Sequence, residues 1–545
     1  MTTAHIQLHT PDGRHDLTVP ASEAGLPVSE LLARRGCPLN TRCGGRGLCG
    51  GCEVELCAGS LRRISDGVRI VPTADRATRI KACQMRLENE WAQLAVLARS
   101  LLPQQPVVAS EFRTHVPWVR DPLVPGARYG AAVDIGTTTV ALMLCDLEAV
   151  TVPTEASAFN AQIRFGEDVL TRIQLCSTDP GGLRRLQRAV VVETINPLLR
   201  EACRKAGVPP QEVGAMTVAG NTTMLHLLAG VDPTPMGIHP FRPVFLEHRI
   251  YAPRDLGLEF GDETAQVHLL PGPAAYVGAD LAAGMIATGL LYDDGPALLV
   301  DVGTNGEIIA KVGDRLVGCA TAAGPAFEGA GLTSGTRAVH GAIERVRLRT
   351  DPFMAELGLI GETDRPLGLC GSAYVDFLWE ARRTGLLQAK GRFDDAFCAR
   401  AGDIVEADEH GRKLRLHARG ATGPVWVSEL DIARLQQAKA AIAAGISTLL
   451  HLLGTAPRDV KRLHLAGGFG LHLSLEHAIG CGLLPGFAVE QIRVVGNTSL
   501  GGALLVLNDR SFLEEMEAAC QTMEAIELNL QPGFEDAYID QLVLP

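Results

Sequence analysis

Residues 131–144 read Ala131-Ala-Val-Asp-Ile-Gly-Thr-Thr-Thr-Val-Ala-Leu-Met-Leu144. An apolar run ends at Asp134, Gly136 follows, and three threonines open a second apolar run. This order predicts two strands joined by a tight turn, in which glycine lets backbone N–H groups approach a ligand. Amides and hydroxyls donate to phosphate oxygens, and aspartate positions hydrated Mg²⁺. The stretch therefore fits a phosphate-binding hairpin, although one D-x-G-T also fits any β-hairpin.

The same order recurs further along the chain, at Ala297-Leu-Leu-Val-Asp-Val-Gly-Thr-Asn-Gly-Glu-Ile-Ile-Ala310. Two such hairpins, a domain's length apart, indicate an internal duplication. We expect Asp134 and Asp301 to act at a nucleotide site, while their alternative role is to cap the hairpins. The backbone and hydroxyl donors expected there are Gly136, Thr137, Thr138, Thr139, Gly303, Thr304 and Asn305.

A glycine turn and two small-residue helices extend this pattern. The turn lies in Leu463-His-Leu-Ala-Gly-Gly-Phe-Gly470, where Gly467 and Gly468 would let a backbone lie flat against adenine and ribose. The predicted helices cover residues 277–289 and 497–506. Glycine costs helix stability, so its repetition marks close helix–helix approach, as expected at a hinge between two lobes.

Glu307 and Asn221 are two further candidate site residues, and the sequence leaves two roles open for each. Glu307 follows the second hairpin and either organises Mg²⁺ or water, or is an exposed strand carboxylate. Asn221 ends a predicted strand and either reaches the cleft or belongs to an ordinary turn. The histidines lack a ligand spacing such as H-E-x-x-H, so no mononuclear metal site is assigned.

A glycine-rich cysteine loop precedes all of these motifs, at Cys43-Gly-Gly-Arg-Gly-Leu-Cys49-Gly-Gly-Cys52. Together with Cys83 it forms a C-x5-C-x2-C…C array that can hold a 2Fe–2S cluster. Structural zinc is the alternative, but zinc usually gathers two close pairs of thiolates. Cys37 and Cys57 break the register and are expected to be packing residues. The candidate ligands are Cys43, Cys49, Cys52 and Cys83.

The residues around the cysteine loop predict a small α+β domain. The predicted strands cover residues 5–9, 15–19, 53–57 and 79–87, and the predicted helix covers 27–35. This is the element order of a β-grasp ferredoxin, and we expect the domain to end near Glu90. Five prolines between residues 91 and 127 predict a compact connector.

The composition of the chain argues against several classes of partner and location. The 545 residues are 46% hydrophobic and carry a formal charge of −12, which argues against nucleic acid and anionic membrane surfaces as partners. No run of eighteen apolar residues occurs and residues 1–10 lack signal-peptide features, so we expect no membrane association. Of the 14 cysteines, those away from the loop are scattered singly, as in reduced cytoplasmic proteins.

The ordered motifs resemble those of the acetate and sugar kinase/Hsp70/actin (ASKHA) superfamily, over residues 128 to about 510. Four further blocks differ from those of sugar kinases: 160–170, 218–226, 322–329 and 369–374. Together with the cysteine loop, they resemble the reductive activators of corrinoid-dependent methyltransferases. The resemblance implies a 2Fe–2S ferredoxin-like β-grasp domain in residues 1–90, a connector in 91–127, a first lobe in 128–290, and in 291–545 a second lobe with a return helix and a C-terminal extension.

The resemblance also implies a function. The protein would bind ATP, Mg²⁺ and a 2Fe–2S cluster, receive electrons from an upstream donor, and reduce the Co(II) corrinoid of a methyltransferase system to Co(I). ATP would be needed because the transfer is uphill for a ferredoxin-type cluster. The alternatives are an electron-injecting activator of a radical dehydratase and a redox-sensing ATP-binding scaffold. The oligomeric state is open, with a homodimer expected from the frequency of twofold dimers.

Overall fold

A computed structural model describes most of the chain. The residues outside the description are 1–3, 11–12, 24, 38, 40–46, 48–51, 73–76, 97–99, 101–115, 167, 304, 330, 337, 339, 363–364, 410, 421–422 and 468–472. Side chains are also not described at 21, 88–90, 164 and 423. Among the helices described, none combines the length and apolar character needed to cross a membrane.

The N-terminal part is a mixed sheet with one helix. Its strands run in the order β2-β1-β6-β3-β4, and β5 also pairs with β3. The helix α1 (Val28–Ala33) buries Val28, Leu31 and Leu32 in the core beneath the sheet. The strands are β1 (Ala4–Thr10), β2 (Gly13–Val19), β3 (Glu53–Arg63), β4 (Arg69–Ile70), β5 (Thr78–Lys81) and β6 (Met85–Val96).

One strand prediction in this part was wrong in detail, and the sheet continues past residue 90. The strand expected at residues 79–87 is two strands, β5 and β6, separated by a 3-10 turn at Ala82–Gln84. Strand β6 then continues past the expected end near Glu90, because Ala92, Leu94 and Val96 alternate into the core and β6 pairs with both β1 and β3.

The middle part is a six-stranded sheet in the order β11-β12-β10-β7-β8-β9. Its strands are β7 (Tyr129–Ile135), β8 (Thr139–Asp146), β9 (Thr151–Phe159), β10 (Val213–Gly220), β11 (Arg249–Tyr251) and β12 (Gln266–Leu269). Its helices are α2 (Val169–Thr178), α3 (Gly182–Val190), α4 (Asn196–Ala206), α5 (Thr222–Ala229), α6 (Pro253–Leu256) and α7 (Ala279–Thr288).

The last part contains a third six-stranded sheet and two small sheets of three strands. Its strands are β13 (Ala297–Val302), β14 (Gly306–Val312), β15 (Arg315–Thr321), β16 (Ala342–Thr350), β17 (Phe353–Leu359), β18 (Gly368–Leu369), β19 (Val405–Asp408), β20 (Gly411–Gly420), β21 (Gly423–Ser428), β22 (Arg462–Ala466), β23 (Ile492–Gly496) and β24 (Glu524–Ala525). Its helices are α8 (Gly371–Arg383), α9 (Asp395–Arg400), α10 (Glu429–Leu452), α11 (Leu475–Gly480), α12 (Thr498–Asn508), α13 (Ser511–Thr522) and α14 (Phe534–Gln541). The large sheet has the order β23-β22-β13-β14-β15-β24.

The second and third sheets share one topology. In each, a first strand (β7 or β13) pairs antiparallel with the next strand and parallel with a later one (β10 or β22). The matching orders are β9-β8-β7-β10-β12 and β15-β14-β13-β22-β23. The two aspartate hairpins therefore occupy the same position in two related sheets, as expected from their repeated sequence.

Helices α7 and α12 cross at close range. An added Cβ at Gly502 would lie 2.1 Å from the Ala283 carbonyl oxygen, so only glycine allows this approach. Helix α12 follows the third sheet but packs on the second, where Thr217 Oγ1 donates to the Ala503 carbonyl at 2.8 Å. Residues 498–522 therefore return the chain to the first lobe. The end of the connector joins the same region, since Asp121 N donates to the Asn508 carbonyl.

Candidate nucleotide cleft and cysteine site

The cavity between the two aspartate hairpins has a volume of about 370 Å³. It brings together the predicted nucleotide-site residues that the structure describes, whereas Thr304 and Gly468 lie outside the described residues. These lining residues are Asp134, Gly136, Thr137, Thr138, Thr139, Asn221, Asp301, Gly303, Asn305, Glu307 and Gly467. Sequence reasoning did not assign to the site seven other described lining residues, of which Asp280, Glu328, Asn497 and Ser499 bear on the argument below.

Asp134 is held by the start of α12. Asn497 Nδ2 donates to one carboxylate oxygen at 2.9 Å, and Ser499 Oγ donates to the other at 2.7 Å. Burial raises the pKa of Asp134, and these two hydrogen bonds oppose the rise. Asn497 also caps α12 through Leu500 N. The first hairpin is therefore tied to the helix that returns from the second lobe.

Asp301 and Glu307 lie opposite one another on β13 and β14. Burial and the nearby Asp280 and Asp134 raise the pKa of Asp301 to about 7. Burial and the neighbouring Asp280 and Asp301 raise the pKa of Glu307 well above its usual value. Glu307 therefore lines the cleft and is not an exposed strand carboxylate, while its role in organising Mg²⁺ or water stays a prediction.

Asp280 is the most informative of the missed residues. It is the second residue of α7, as Ser499 is the second residue of α12, so the two side chains occupy related positions in the two halves. Burial, followed by the Asp134 charge, raises the pKa of Asp280 to about 7. Its only sequence signal is an acidic residue in the first turn of a glycine-rich helix.

The four carboxyl groups of the cleft suit a divalent cation. Asp134, Asp280, Asp301 and Glu307 line the cavity half-buried, and removal from water is the largest cause of the raised pKa of each. A hard cation with oxygen ligands would relieve their mutual repulsion and favour their ionised forms. No three or more of the described His, Cys, Asp and Glu side chains are arranged to hold a metal ion directly, but Mg²⁺ usually keeps several waters and contacts only one or two carboxylates. The cleft therefore suits a hydrated Mg²⁺, which would supply charge neutralisation for a bound polyphosphate.

The threonines of the first hairpin have side-chain partners on both sides of the cleft. Asn221 caps α5 through Met224 N at 3.0 Å and donates through Nδ2 to Thr137 Oγ1 at 3.1 Å. Thr138 Oγ1 donates to Glu328 Oε2 at 3.4 Å. Glu328 ends the 3-10 turn Pro325–Glu328, so this bond connects the two lobes across the cleft.

The turn at Gly467 lines the cleft beside the second hairpin. Its φ is +93°, and an added Cβ would lie 2.5 Å from the Val302 carbonyl oxygen. Only glycine allows the backbone to lie so close to β13.

Two of the four candidate cluster ligands are described, and both are buried. Cys52 precedes β3 and Cys83 lies in the turn between β5 and β6, where Ala82 N donates to the Cys52 carbonyl at 3.0 Å. Cys43 and Cys49 lie outside the described residues. Cys57 is exposed and Cys37 is half-buried.

One described glycine links the cysteine loop to Cys83. Gly47 has a φ of +75°, and its carbonyl accepts a hydrogen bond from Lys81 Nζ at 2.8 Å. An added Cβ at Gly47 would lie 2.8 Å from Gln84 Cδ. Lys81 and Gln84 lie on either side of Cys83, so Gly47 lies against the turn that carries Cys83. The ligation of a cluster by the four cysteines stays a prediction.

Family models match the two larger parts of the chain. Residues 129–293 match the RACo middle region, and residues 295–545 match the C-terminal domain of RACo, the ASKHA domain. This chain belongs to the RACo family. The predicted membership among reductive activators of corrinoid proteins and the ASKHA fold of the C-terminal domain are thereby confirmed.

Individual relatives of this RACo-family chain agree with the family models. The chain is similar to a solved structure titled reductive activator for corrinoid,iron-sulfur protein, with 28% identity, a TM-score of 0.71, and coverage of 99% of this chain and 98% of that one. It is 28% identical to the corrinoid activation enzyme RamQ of Eubacterium limosum, over 94% of this chain and 95% of the relative. It is 24% identical to a [Co(II) methylated amine-specific corrinoid protein] reductase of Methanosarcina barkeri, over 76% of each.

Proposed function

We propose that this protein is an ATP-dependent reductive activator of a corrinoid protein in a methyltransferase system. It transfers one electron to Co(II) and so restores Co(I). The observation that carries the proposal is the similarity over nearly the whole chain to a reductive activator for a corrinoid iron–sulfur protein. Two relatives named for corrinoid activation and Co(II) corrinoid protein reduction support the same activity.

The N-terminal sheet is the electron-carrying part in this proposal, with a β-grasp ferredoxin fold. Cys43, Cys49, Cys52 and Cys83 hold the cluster, and a bound 2Fe–2S cluster supplies one electron at a time. The burial of Cys52 and Cys83 and the contacts of Gly47 with Lys81 and Gln84 support this assignment. An upstream donor reduces the cluster between turnovers.

The cleft between the two hairpins is the ATP site. The hairpin backbones and threonine hydroxyls bind phosphate oxygens, Gly467 and Gly468 lie under the nucleoside, and the carboxylates bind Mg²⁺. Asn221 orients Thr137, and Glu307 orients Mg²⁺ or the attacking water. The cleft carboxyl groups, which need a cation to ionise at low cost, support this role.

Closure of the two lobes couples ATP to electron transfer. Asp134 on the second sheet accepts hydrogen bonds from Asn497 and Ser499, which follow the third sheet in the chain. A nucleotide that changes the position of Asp134 therefore acts on α12 and, through the Gly502–Ala283 contact, on α7. The closed form would favour the complex with the Co(II) partner.

Partner-dependent ATP hydrolysis tests this coupling. We expect the purified protein to hydrolyse ATP slowly alone and faster with its Co(II) corrinoid protein, since linkage requires each ligand to affect the other. Unchanged ATP hydrolysis and nucleotide affinity with the Co(II) partner would instead favour a redox-sensing scaffold, in which ATP only gates binding.

A further inference from the structure

A buried guanidinium lies directly behind the first hairpin. Arg172 of α2 has no exposed surface and is among the largest fully buried side chains that the structure describes. Its Nη2 donates to the Thr137 carbonyl, its Nε to the Gly166 carbonyl at 3.0 Å, and its Nη1 to Gln162 Oε1 at 2.8 Å. The acceptors are neutral, so the charge is not cancelled by these bonds.

Asn160 completes the support behind the hairpin. Its side-chain Nδ2 donates to the Gly136 carbonyl at 3.0 Å and to Gln162 Oε1 at 3.2 Å, and its backbone N donates to the Thr138 carbonyl at 2.9 Å. With Arg172 on Thr137, three successive carbonyls of the turn are bound. Asn160 and Gln162 belong to the sequence block 160–170, one of the four blocks that differ from those of sugar kinases.

These hydrogen bonds to the carbonyls determine which way the backbone N–H groups of the hairpin point. In a trans peptide the C=O and N–H groups point in opposite directions. Gly136, Thr137 and Thr138 line the cavity, whereas Asn160, Gln162 and Arg172 do not. Carbonyls bound from behind therefore turn the amides that follow them toward the cavity, as in an anion-binding nest.

The charge of Arg172 adds to this arrangement. Burial lowers the pKa of Arg172 to about 10, while the carboxylate of Asp168, which caps α2 through Thr171 N, raises it. The group thus remains protonated at neutral pH. A cation in a low-dielectric interior, one peptide unit behind a loop, stabilises an anion in front of that loop.

We infer that Arg172 is a positioning residue whose buried charge, acting through the Thr137 peptide, strengthens binding of the nucleotide polyphosphate. This inference rests on the proposed ATP site, and it attributes part of the nucleotide affinity of that site to the charge of Arg172. The charge cannot contact the phosphates, because the peptide stands between them. Its effect should therefore depend on the charge of the ligand and not on its nucleoside.

The test compares ADP with adenosine. Calorimetry with Mg²⁺ measures the affinity of both ligands for the full-length wild type, Arg172→Gln, Arg172→Lys and the surface control Arg185→Gln. Glutamine keeps a donor for Thr137 without the charge, whereas lysine keeps the charge and loses the planar fork. Losing a charged hydrogen-bond donor predicts an ADP affinity about 10- to 100-fold lower in Arg172→Gln.

We expect adenosine affinity to stay within about threefold in all variants, and Arg172→Lys to bind ADP better than Arg172→Gln does. Wild-type ADP affinity in Arg172→Gln would overturn the inference. Equal losses for lysine and glutamine, or equal losses for ADP and adenosine, would also overturn it, since they indicate support of the loop alone. If Arg172→Gln does not fold, Arg172→Lys is the deciding variant. A kept preference for ADP over adenosine in Arg172→Lys would support the inference, and a lost preference would overturn it. A wild type that binds no ADP would instead reject the proposed ATP site, and this inference with it.

Discussion

Asp301 lies directly opposite Glu307 in the β13–β14 ladder. Directly opposed residues of an antiparallel pair present their side chains on the same face. Both carboxyl groups therefore face the cleft, where Asp280 adds a third and Asp134 a fourth. This concentration of acid at the hairpins is the feature on which the proposed ATP site depends.

Asp301→Asn should abolish ATP turnover. The amide removes one charge from the cation site, and loss of metal-based charge stabilisation predicts a rate lower by about 100-fold or more. ATPase assays and the reduced-cluster EPR spectrum of the same sample check this. The spectrum should be unchanged, because the described candidate ligands Cys52 and Cys83 belong to a separate hydrophobic core.

Asp314→Asn is the matched control, since Asp314 is exposed in the turn after β14. It should hydrolyse ATP at the wild-type rate. Wild-type turnover in Asp301→Asn and Asp134→Asn together would reject the cleft as the working site.

Cation binding should release protons. Asp280 and Asp301 have pKa values raised to about 7, so the folded protein without ligand holds protons that the unfolded chain has lost above about pH 4. Stability from these groups is complete below about pH 4 and is lost as the pH rises to about 7. Mg²⁺ affinity should correspondingly rise with pH up to about 7.

Calorimetry of Mg²⁺ binding in two buffers of different ionisation enthalpy counts the released protons. At pH 6 the wild type should release more protons than Asp280→Asn does. Binding without proton release at pH 6 in the wild type would contradict the shared acidic site.

Gly502→Ala should disturb the crossing of α7 and α12. The new Cβ would lie 2.1 Å from the Ala283 carbonyl oxygen, and such overpacking costs about 1–3 kcal/mol of unfolding free energy. Thermal unfolding of the ASKHA part should shift down, and ATP-dependent Co(I) formation should fall while the cluster stays reducible. Gly25→Ala is the control, because an added Cβ there meets no atom within 4 Å.

The four predicted ligands should each be needed for the 2Fe–2S cluster. Iron and sulfide analysis with EPR on Cys→Ser variants should show a lost or altered cluster at Cys43, Cys49, Cys52 and Cys83. Cys37→Ser and Cys57→Ser are the matched controls and should keep the wild-type spectrum. A normal spectrum in Cys83→Ser, or a lost one in Cys37→Ser, would reject the assignment.

The hairpins were predictable because their chemistry is local. Asp134 with Gly136, and Asp301 with Gly303, each combine an apolar strand, a carboxylate and a turn within a few residues. The glycine helices were predictable for a similar reason, since Gly284 and Gly502 mark close packing inside otherwise helical segments.

The missed residues depend on long-range packing. Asn497 and Ser499 reach Asp134 only because α12 returns to the second sheet, and Asp280 joins Asp301 only because the two halves face one another. Arg172 is buried behind the hairpin by the packing of α2, and nothing in its own sequence neighbourhood marks it as different from a surface arginine. Such contacts follow from how strands and helices assemble, which local patterns do not encode.

The most direct measurement is anaerobic visible spectroscopy of the genuine Co(II) corrinoid partner with this protein and a chemical reductant, with and without ATP. We predict that the Co(I) spectrum develops with ATP, and that it is absent without ATP and with Asp301→Asn. Equal Co(I) formation without ATP would contradict the account.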